Sequence, residues 1–313
     1  MFLGIEIGGT KLQLGVGAGD GSPFVAFERA EVDPLLGAKG ILAQIESLGI
    51  SLIKKHNVKR IGIGFGGPVD PKAGRVTTSH QIAGWDEFPL VKWCEKMLGR
   101  ETVLGNDCDV AALAEAKFGA GRNRERVFYV TVGTGVGGGF VVNGQSDGAG
   151  RPAIAEIGHL RVGLDANELD GTVEAVASGR GIERAMRNRL RSPQKTDEMT
   201  ELFTLCAGDL DSLTAKQIAG LAEEGNPLAI DVWEVAVQTL GWGIAQMITL
   251  LAPNVVVIGG GVSLSAEDLF FTPLGQFVRR YVFPPLVGSF ELLPAELGED
   301  VVVHGALALA ATN

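Results

Sequence analysis

Twice in this chain a short apolar segment stops at a cluster of glycines, turns and resumes. The first instance spans residues 3–16 around Gly8-Gly9-Thr10-Lys11. In the second, residues 127–132 lead into Gly133-Thr134-Gly135-Val136-Gly137-Gly138-Gly139, and residues 140–142 return before Asn143-Gly144. Apolar runs of this length read as buried strands, and glycine lets the backbone reverse between them. The two hairpins are too far apart in sequence for a solenoid repeat. They predict two similar α/β lobes, each opening with a hairpin, which suits a chain of 313 residues. The expected division is an N-terminal α/β lobe over residues 1–118 and a C-terminal α/β lobe over 119–313, with the C-terminal helix able to return to the first.

The remaining pattern is one of alternating helices and strands. Ile41, Leu42, Ile45, Leu48, Leu52 and Ile53 recur at helical spacing and predict a helix over 37–58. Residues 60–65 read as a buried strand ending in the turn Gly66-Gly67-Pro68. A short helix is expected over 89–98 and a short strand at 103–104, followed by an Ala-rich helix from Asn106-Asp107 to about Phe118. Residues 180–195 carry Arg184, Arg187, Arg189 and Arg191, the mark of a charged helix face and exposed loop. Helical periodicity returns over 214–251, split by Gly225-Asn226-Pro227 and ended by Pro253. A buried strand over 254–258 runs into Gly259-Gly260-Gly261, and Ser265 reads as the cap of a further helix. Residues 301–303 read as a strand before an Ala-rich terminal helix.

Glycine is the compositional outlier: 45 residues, about twice the usual share of roughly 7%. Three of its clusters, 8–11, 133–139 and 259–261, stand at strand ends. Backbone N–H groups there can converge on phosphate oxygens with no Cβ in the way, although any one such turn serves a hairpin equally well. Together they point to a polyphosphate ligand. The stretch from Gly133 to Gly138 superficially matches G-x-G-x-x-G, but that fingerprint must open a helix, and here a second strand follows. The Walker pattern G-x-x-x-x-G-K-[ST] is absent. What remains is phosphate held by two β-hairpins, the arrangement of the actin-like, hexokinase-like (ribonuclease H-like) ATPase fold, with ligands in the cleft between the lobes.

Charge and cysteine content narrow the function classes. Lys plus Arg number 27 against 37 Asp plus Glu, a net charge of −10. Such a surface repels phosphate backbones and anionic membranes, which argues against nucleic-acid and membrane partners. Cys94, Cys108 and Cys206 are scattered, with no C-x-x-C pair, which suits a reducing compartment and gives no disulfide framework. The N-terminus lacks the basic region of a signal peptide, and no uninterrupted apolar run reaches about 18 residues. A cytoplasmic protein is expected.

The order and spacing of the motifs resemble the ROK family of repressors and sugar kinases over essentially the whole chain. The residues that carry the resemblance are Gly4-Ile5-Glu6-Ile7-Gly8-Gly9-Thr10-Lys11, Gly66-Gly67-Pro68-Val69-Asp70, Gly84-Trp85, Asn106-Asp107, the second glycine hairpin, Glu156-Ile157-Gly158-His159, Glu174-Ala175-Val176-Ala177-Ser178-Gly179, residues 257–263 and Gly305-Ala306. The resemblance implies ATP-dependent phosphorylation of a hexose hydroxyl, glucose O6 first among the choices, with Mg²⁺ accompanying ATP. By the same resemblance Gly8, Gly9, Thr10, Lys11, Gly133, Thr134, Gly135, Gly137 and Gly138 hold the phosphates, and Gly259, Gly260 and Gly261 lie against the adenosine. Asn106, Asp107, Glu156, His159 and Glu174 match the sugar-binding set, with Asp107 as the catalytic base. Relatives are commonly homodimers. The residues agree with this chemistry, because a positioned carboxylate can take the hydroxyl proton as phosphoryl transfer proceeds. Taken alone, Asn106-Asp107 is equally a helix cap, and Glu156 with His159 equally a surface pair.

The chain departs from the family pattern at three places. Glu6 stands where many members carry Asp, which bears on an indirect contact to Mg²⁺. Gln81 stands where Asn usually precedes the Gly-Trp pair. Asp165, Asn167 and Thr172 occupy the positions of three zinc-binding cysteines, so no structural zinc is expected. The alternative functions are a kinase for an N-acetylhexosamine, mannose or fructose, and a non-catalytic sugar-binding protein. Against the repressor form of the latter, the first hairpin begins at residue 3, which leaves no room for a DNA-reading helix-turn-helix before it, and the charge is wrong for one.

Overall fold

In the computed structural model the first hairpin forms as its sequence dictates. The described residues are 1–79, 82–147, 151, 153–167, 169–191, 197–206 and 208–312. Strand β1 (Phe2–Ile7) and β2 (Lys11–Gly17) pair antiparallel, with Ile5 opposite Leu14 and Glu6 opposite Gln13. β3 (Ala26–Glu31) extends the meander. Helix α1 (Gly37–His56) follows, then β4 (Arg60–Phe65), the short β5 (Val69–Asp70) and β6 (Arg75–Val76), α2 (Leu90–Leu98), β7 (Glu101–Asn106) and α3 (Asp107–Phe118). The first sheet has the order β3-β2-β1-β4-β7, with β4 parallel to both β1 and β7.

The second hairpin consists of β8 (Arg126–Val132) and β9 (Val136–Val142), extended by β10 (Gln145–Ser146). After it come α4 (Val173–Ala177), α5 (Gly179–Leu190), α6 (Asp197–Leu205), α7 (Ala215–Glu223) and α8 (Pro227–Leu251). β11 (Val255–Gly259), α9 (Phe271–Tyr281), β12 (Glu291–Pro294) and α10 (Val301–Ala311) complete the chain. The second sheet, β10-β9-β8-β11-β12, repeats the order of the first, and β11 and β12 run parallel as β4 and β7 do.

The chain divides into two compact units, residues 1–129 with 138–155 and 295–313, and residues 130–137 with 156–294. In the first unit alternation along the strands sorts the residues. Leu3, Ile5, Leu12, Leu14, Ile61 and Ile63 face the apolar stripe of α1, where Ala38, Ile41 and Ile45 are buried. On the other face Gly4, Gly15 and Gly62 leave room for α10. A Cβ on Gly62 would sit 1.9 Å from the carbonyl oxygen of Ala306. Glu115 of α3, fully buried, accepts from the N–H groups of Ala120 at 2.8 Å and Leu297 at 2.9 Å, tying the helix to the segment before α10. In the second unit Asn226 caps α8 through the N–H groups of Leu228 and Ala229, with Pro227 at the first helical position, as the Gly-Asn-Pro sequence dictates.

Three local expectations are corrected. The second glycine turn is only Gly133 to Gly135, and Gly137, Gly138 and Gly139 lie inside β9, where Gly138 and Gly139 admit close neighbours. Residues 301–303 are the first turn of α10, not a strand. Ser265 closes a short 3₁₀ turn over Gly261–Leu264, and the next helix starts six residues later at Phe271. The Arg-rich run is helical to Leu190, and residues 192–196 lie outside the described residues. Among the described residues one stretch, Pro34–His56, could by length and composition cross a membrane. It includes α1, whose apolar stripe packs on the first sheet, and core helices pass the same test.

Candidate functional site

The first hairpin is closed by the Gly8 N–H, which donates to the Lys11 carbonyl at 3.0 Å. Beneath the turn lies a polar cluster. The Lys11 ammonium is 3.3 Å from Glu6 Oε1 and donates to the carbonyl of Glu299 at 3.3 Å. Gln13, fully buried on the neighbouring strand, donates to Asp300 Oδ1 at 3.3 Å. Burial pushes the Glu6 carboxyl up to about 7; Lys11 opposes this, and the nearby Asp107 and Asp300 reinforce it. Glu6 Oε2 is buried with no hydrogen-bond partner. A buried carboxylate oxygen without a donor, near two further carboxylates, fits a cation or its water shell.

The Glu6 shift has a measurable consequence. Between about pH 4.5 and about 7 the folded chain holds a proton on Glu6 that the unfolded chain has lost. Stability should therefore fall as pH rises through that interval. Glu6→Gln should flatten this part of the slope in melting curves taken across the range; an unaltered slope would place the Glu6 proton elsewhere.

At the end of β7 the two candidate residues separate in role. Asn106 is the cap of α3: its Oδ1 accepts from the N–H groups of Cys108 at 2.8 Å and Asp109 at 3.4 Å, while its amide donates to the Gly67 carbonyl at 3.0 Å. Asp107 is the first helical residue, and its Oδ1 accepts from the Cys108 N–H at 2.8 Å. Its Oδ2 lies 3.4 Å from where a Cβ of Gly66 would stand, so the bare Gly66 backbone leaves this carboxylate room. Gly8, Gly9, Gly66, Ser79 and Trp85 line a narrow concavity alongside.

In the second unit the Gly133 N–H donates to the Gly135 carbonyl at 2.9 Å, closing the turn. Glu156 immediately precedes a 3₁₀ turn over Ile157–His159, and Glu174 lies in the first turn of α4. Burial raises the Glu156 carboxyl above the usual carboxylate range; His159 opposes the rise and Glu174 adds to it. The fold thus brings Glu156, His159 and Glu174 within electrostatic reach of one another, from two segments of sequence. Glu174 Oε2 accepts from the Val136 N–H at 2.9 Å. Beyond β11, Gly260 adopts φ 91°, and a Cβ there would lie 2.4 Å from the Val132 carbonyl oxygen. Gly133 and Gly261 present open backbone, with nothing within 4 Å of a Cβ position.

The segment between Leu160 and Val173, where the sequence has Asp165, Asn167 and Thr172, is closed by backbone bonds. Arg161 and Thr172 form an antiparallel bridge, the Val162 N–H donates to the Gly171 carbonyl at 3.0 Å, and the Val173 N–H donates to the Leu160 carbonyl at 2.9 Å. The Thr172 hydroxyl then caps α4 through the Ala175 N–H at 3.1 Å. Purified protein should contain no stoichiometric zinc and should melt at the same temperature in chelator. Elemental analysis finding about one zinc per chain, the load of a structural site, would overturn this. Gln81 and His80 lie outside the described residues, as does Glu168 in this segment.

Gln13, Gly66, Thr172 and Asp300 were not singled out as site residues by sequence reasoning. Gly66 stood in a readable Gly-Gly-Pro turn. Gln13 and Asp300 left no local signal, because cross-strand register and the return of the C-terminus bring them to Glu6.

Comparison with known proteins gives a consistent picture. The model of the ROK family matches residues 2–313. A glucokinase of Thermotoga maritima is 30% identical over 98% of this chain and 96% of its own. One of Halalkalibacterium halodurans is 31% identical over 97% and 93%. The crystal structure of a ROK family glucokinase from Streptomyces griseus, in complex with glucose and AMPPNP, superposes with a TM-score of 0.82 at 32% identity, covering 99% of this chain and 98% of that one. The fold is therefore the α/β, two-lobed actin/hexokinase-like fold of the sugar kinases.

Proposed function

Since the chain belongs to the ROK family, we propose that its reaction is transfer of the γ-phosphoryl group of ATP to a hexose hydroxyl, with glucose, at O6, as the preferred acceptor. The observation that carries this reading is the near-complete match to glucokinases, one of them holding glucose and AMPPNP. It is an ATP-dependent sugar kinase. Asp107 is the base. It stands at the start of α3 beside a side-chain-free turn. It takes the hydroxyl proton as the bond to phosphorus forms. Asn106 orients that carboxylate by fixing the helix start. Glu156, His159 and Glu174 bind ring hydroxyls, which carboxylates accept readily. The glycine turns at 8–11 and 133–135 receive the phosphates. Magnesium would come with ATP as part of the substrate, and would supply charge neutralisation at the transferring phosphate. Glu6, with its unpartnered buried oxygen, is the residue that would hold it, directly or through water.

The test is ATP consumption over a panel of glucose, mannose, fructose and N-acetylated hexosamines. Glucose should give the highest kcat/KM. Faster turnover of another hexose reassigns the acceptor, and no sugar-dependent turnover at all would sink the kinase reading. Replacing Glu156 or Glu174 with Gln should raise the sugar KM about ten- to a hundred-fold, as expected for lost hydrogen bonds to charged groups, with the ATP KM little changed. An unchanged sugar KM in both variants would return the pair to a structural role. We further propose a cytoplasmic location, which suits three free cysteines. A homodimer, resting on family resemblance, is checked by sedimentation.

A further inference from the structure

A side-chain hydrogen bond of Glu174 runs to the second glycine hairpin. Its Oε2 accepts from the N–H of Val136, the residue that follows the Gly133–Gly135 turn. Gly135 carries no side chain where one would block this approach: a Cβ there would lie 2.5 Å from Glu174 Oε2. At the other end of the turn the Gly133 carbonyl accepts from the Gly179 N–H at 2.8 Å. Both ends of the turn are thereby fastened to the α4–α5 pair. That pair is itself fixed by two caps, Thr172 accepting from the Ala175 N–H and Ser178 accepting from the Gly181 N–H at 3.1 Å.

A turn with two glycines in three residues samples many backbone states unless something outside it selects one. We propose that Glu174 is a positioning residue for the nucleotide as well as a sugar ligand. Through Val136 it holds the Gly133–Gly135 turn in its phosphate-receiving form before any sugar is present. The proposal rests on the kinase reading for the identity of the nucleotide. One consequence is that the Val136 N–H is spent on Glu174 and is not a phosphate donor. Another is that the bond to Val136 does not require the carboxylate charge. A neutral oxygen at the same place accepts the same bond, without repelling phosphate.

The side-chain series at 174 separates the two roles. Glu174→Gln keeps an acceptor of equal reach and should bind AMPPNP with magnesium, in the absence of sugar, at least as tightly as the wild type, while its sugar KM rises. Glu174→Ala has no acceptor, and Glu174→Asp is one methylene short of Val136. Both should bind AMPPNP several-fold to about ten-fold more weakly by calorimetry, the loss expected for one hydrogen bond. The Val136 amide should exchange slowly in the wild type and the Gln variant and quickly in the Ala and Asp variants. Should the Ala variant fail to fold, the Asp and Gln variants carry the same comparison. Equal AMPPNP affinity across wild type, Ala and Asp, or rapid exchange of Val136 in the wild type, would overturn the assignment and leave the kinase reading standing. A wild-type protein that binds no AMPPNP would overturn both.

Discussion

With Asp107 as the proposed base, Asp107→Asn should lower kcat by about a hundred-fold or more, the scale of a lost general base, and should leave the melting temperature nearly unchanged. The separation of the two effects follows from the geometry at the start of α3. The cap of this helix is Asn106, whose Oδ1 takes the Cys108 and Asp109 N–H groups and whose amide is anchored on the Gly67 carbonyl. Asp107 sits one residue further on and accepts from the adjacent Cys108 N–H. An Asn at 107 retains an oxygen for that bond, so the helix start survives. What it lacks is the capacity to take a proton from a sugar hydroxyl. Nucleotide binding should persist, because the glycine turns are untouched. The complementary variant, Asn106→Ala, should instead cost stability, about 1 kcal/mol for a lost cap. The pair of variants is read by kcat and by melting curves. Near wild-type turnover in Asp107→Asn would move the base elsewhere.

Gly62→Ala lowers the melting temperature by roughly 6–12 °C, taking overpacking at about 3 kcal/mol and about 2–4 °C per kcal/mol for a unit of this size. The added Cβ would stand 1.9 Å from the Ala306 carbonyl oxygen, 2.8 Å from the Ala306 carbonyl carbon and 3.2 Å from the Ala310 N. All three are backbone atoms of α10, so no side chain can rotate away. Either α10 lifts off β4 or the strand bends. Gly220→Ala is the matched control. Gly220 lies inside α7 with open space at its Cβ position, and alanine there should stabilise by roughly 0.5–1 kcal/mol. A Gly62→Ala protein that melts like the wild type would show that α10 is not seated this closely on β4. The seat matters for the site. α10 packs on β1, which leads into the first glycine turn, and on α3, which carries Asp107. Gly305 is part of the same close contact, since a Cβ on it would meet the Val110 carbonyl at 1.8 Å.

Much of the architecture was already decided by short-range chemistry. The two hairpins follow from apolar runs reversing at glycine. Helix α8 follows from Gly225-Asn226-Pro227, where Gly225 takes φ 92°, Asn226 caps and Pro227 starts the helix. The start of α3 follows from Asn106, whose side chain competes well for free N–H groups. These signals are local: each residue acts on backbone groups within a few positions of itself, so the sequence suffices.

Other features waited for the tertiary structure. Val301, Val302 and Val303 have the β-branched character of a strand, yet they are helical, because this segment packs against β1, β2 and β4 and gains more from burial than its weak local preference opposes. Strands β3 and β12 are edge strands whose partners supply their register: Leu293 pairs with Val257 of β11, and Phe27 with Gly15 of β2. The sequence by itself determined which residue types could serve phosphate and sugar: glycines at strand ends, carboxylates and a histidine at family spacings. Only the tertiary structure decided which atoms they engage. It set Asp107 beside bare backbone, raised Glu6 by burying it near Asp107 and Asp300, and turned one oxygen of Glu174 toward Val136. The physical reason is range. Propensity and capping act across a few residues, whereas desolvation and hydrogen-bond geometry depend on groups that meet only after the chain has folded back across tens to hundreds of positions.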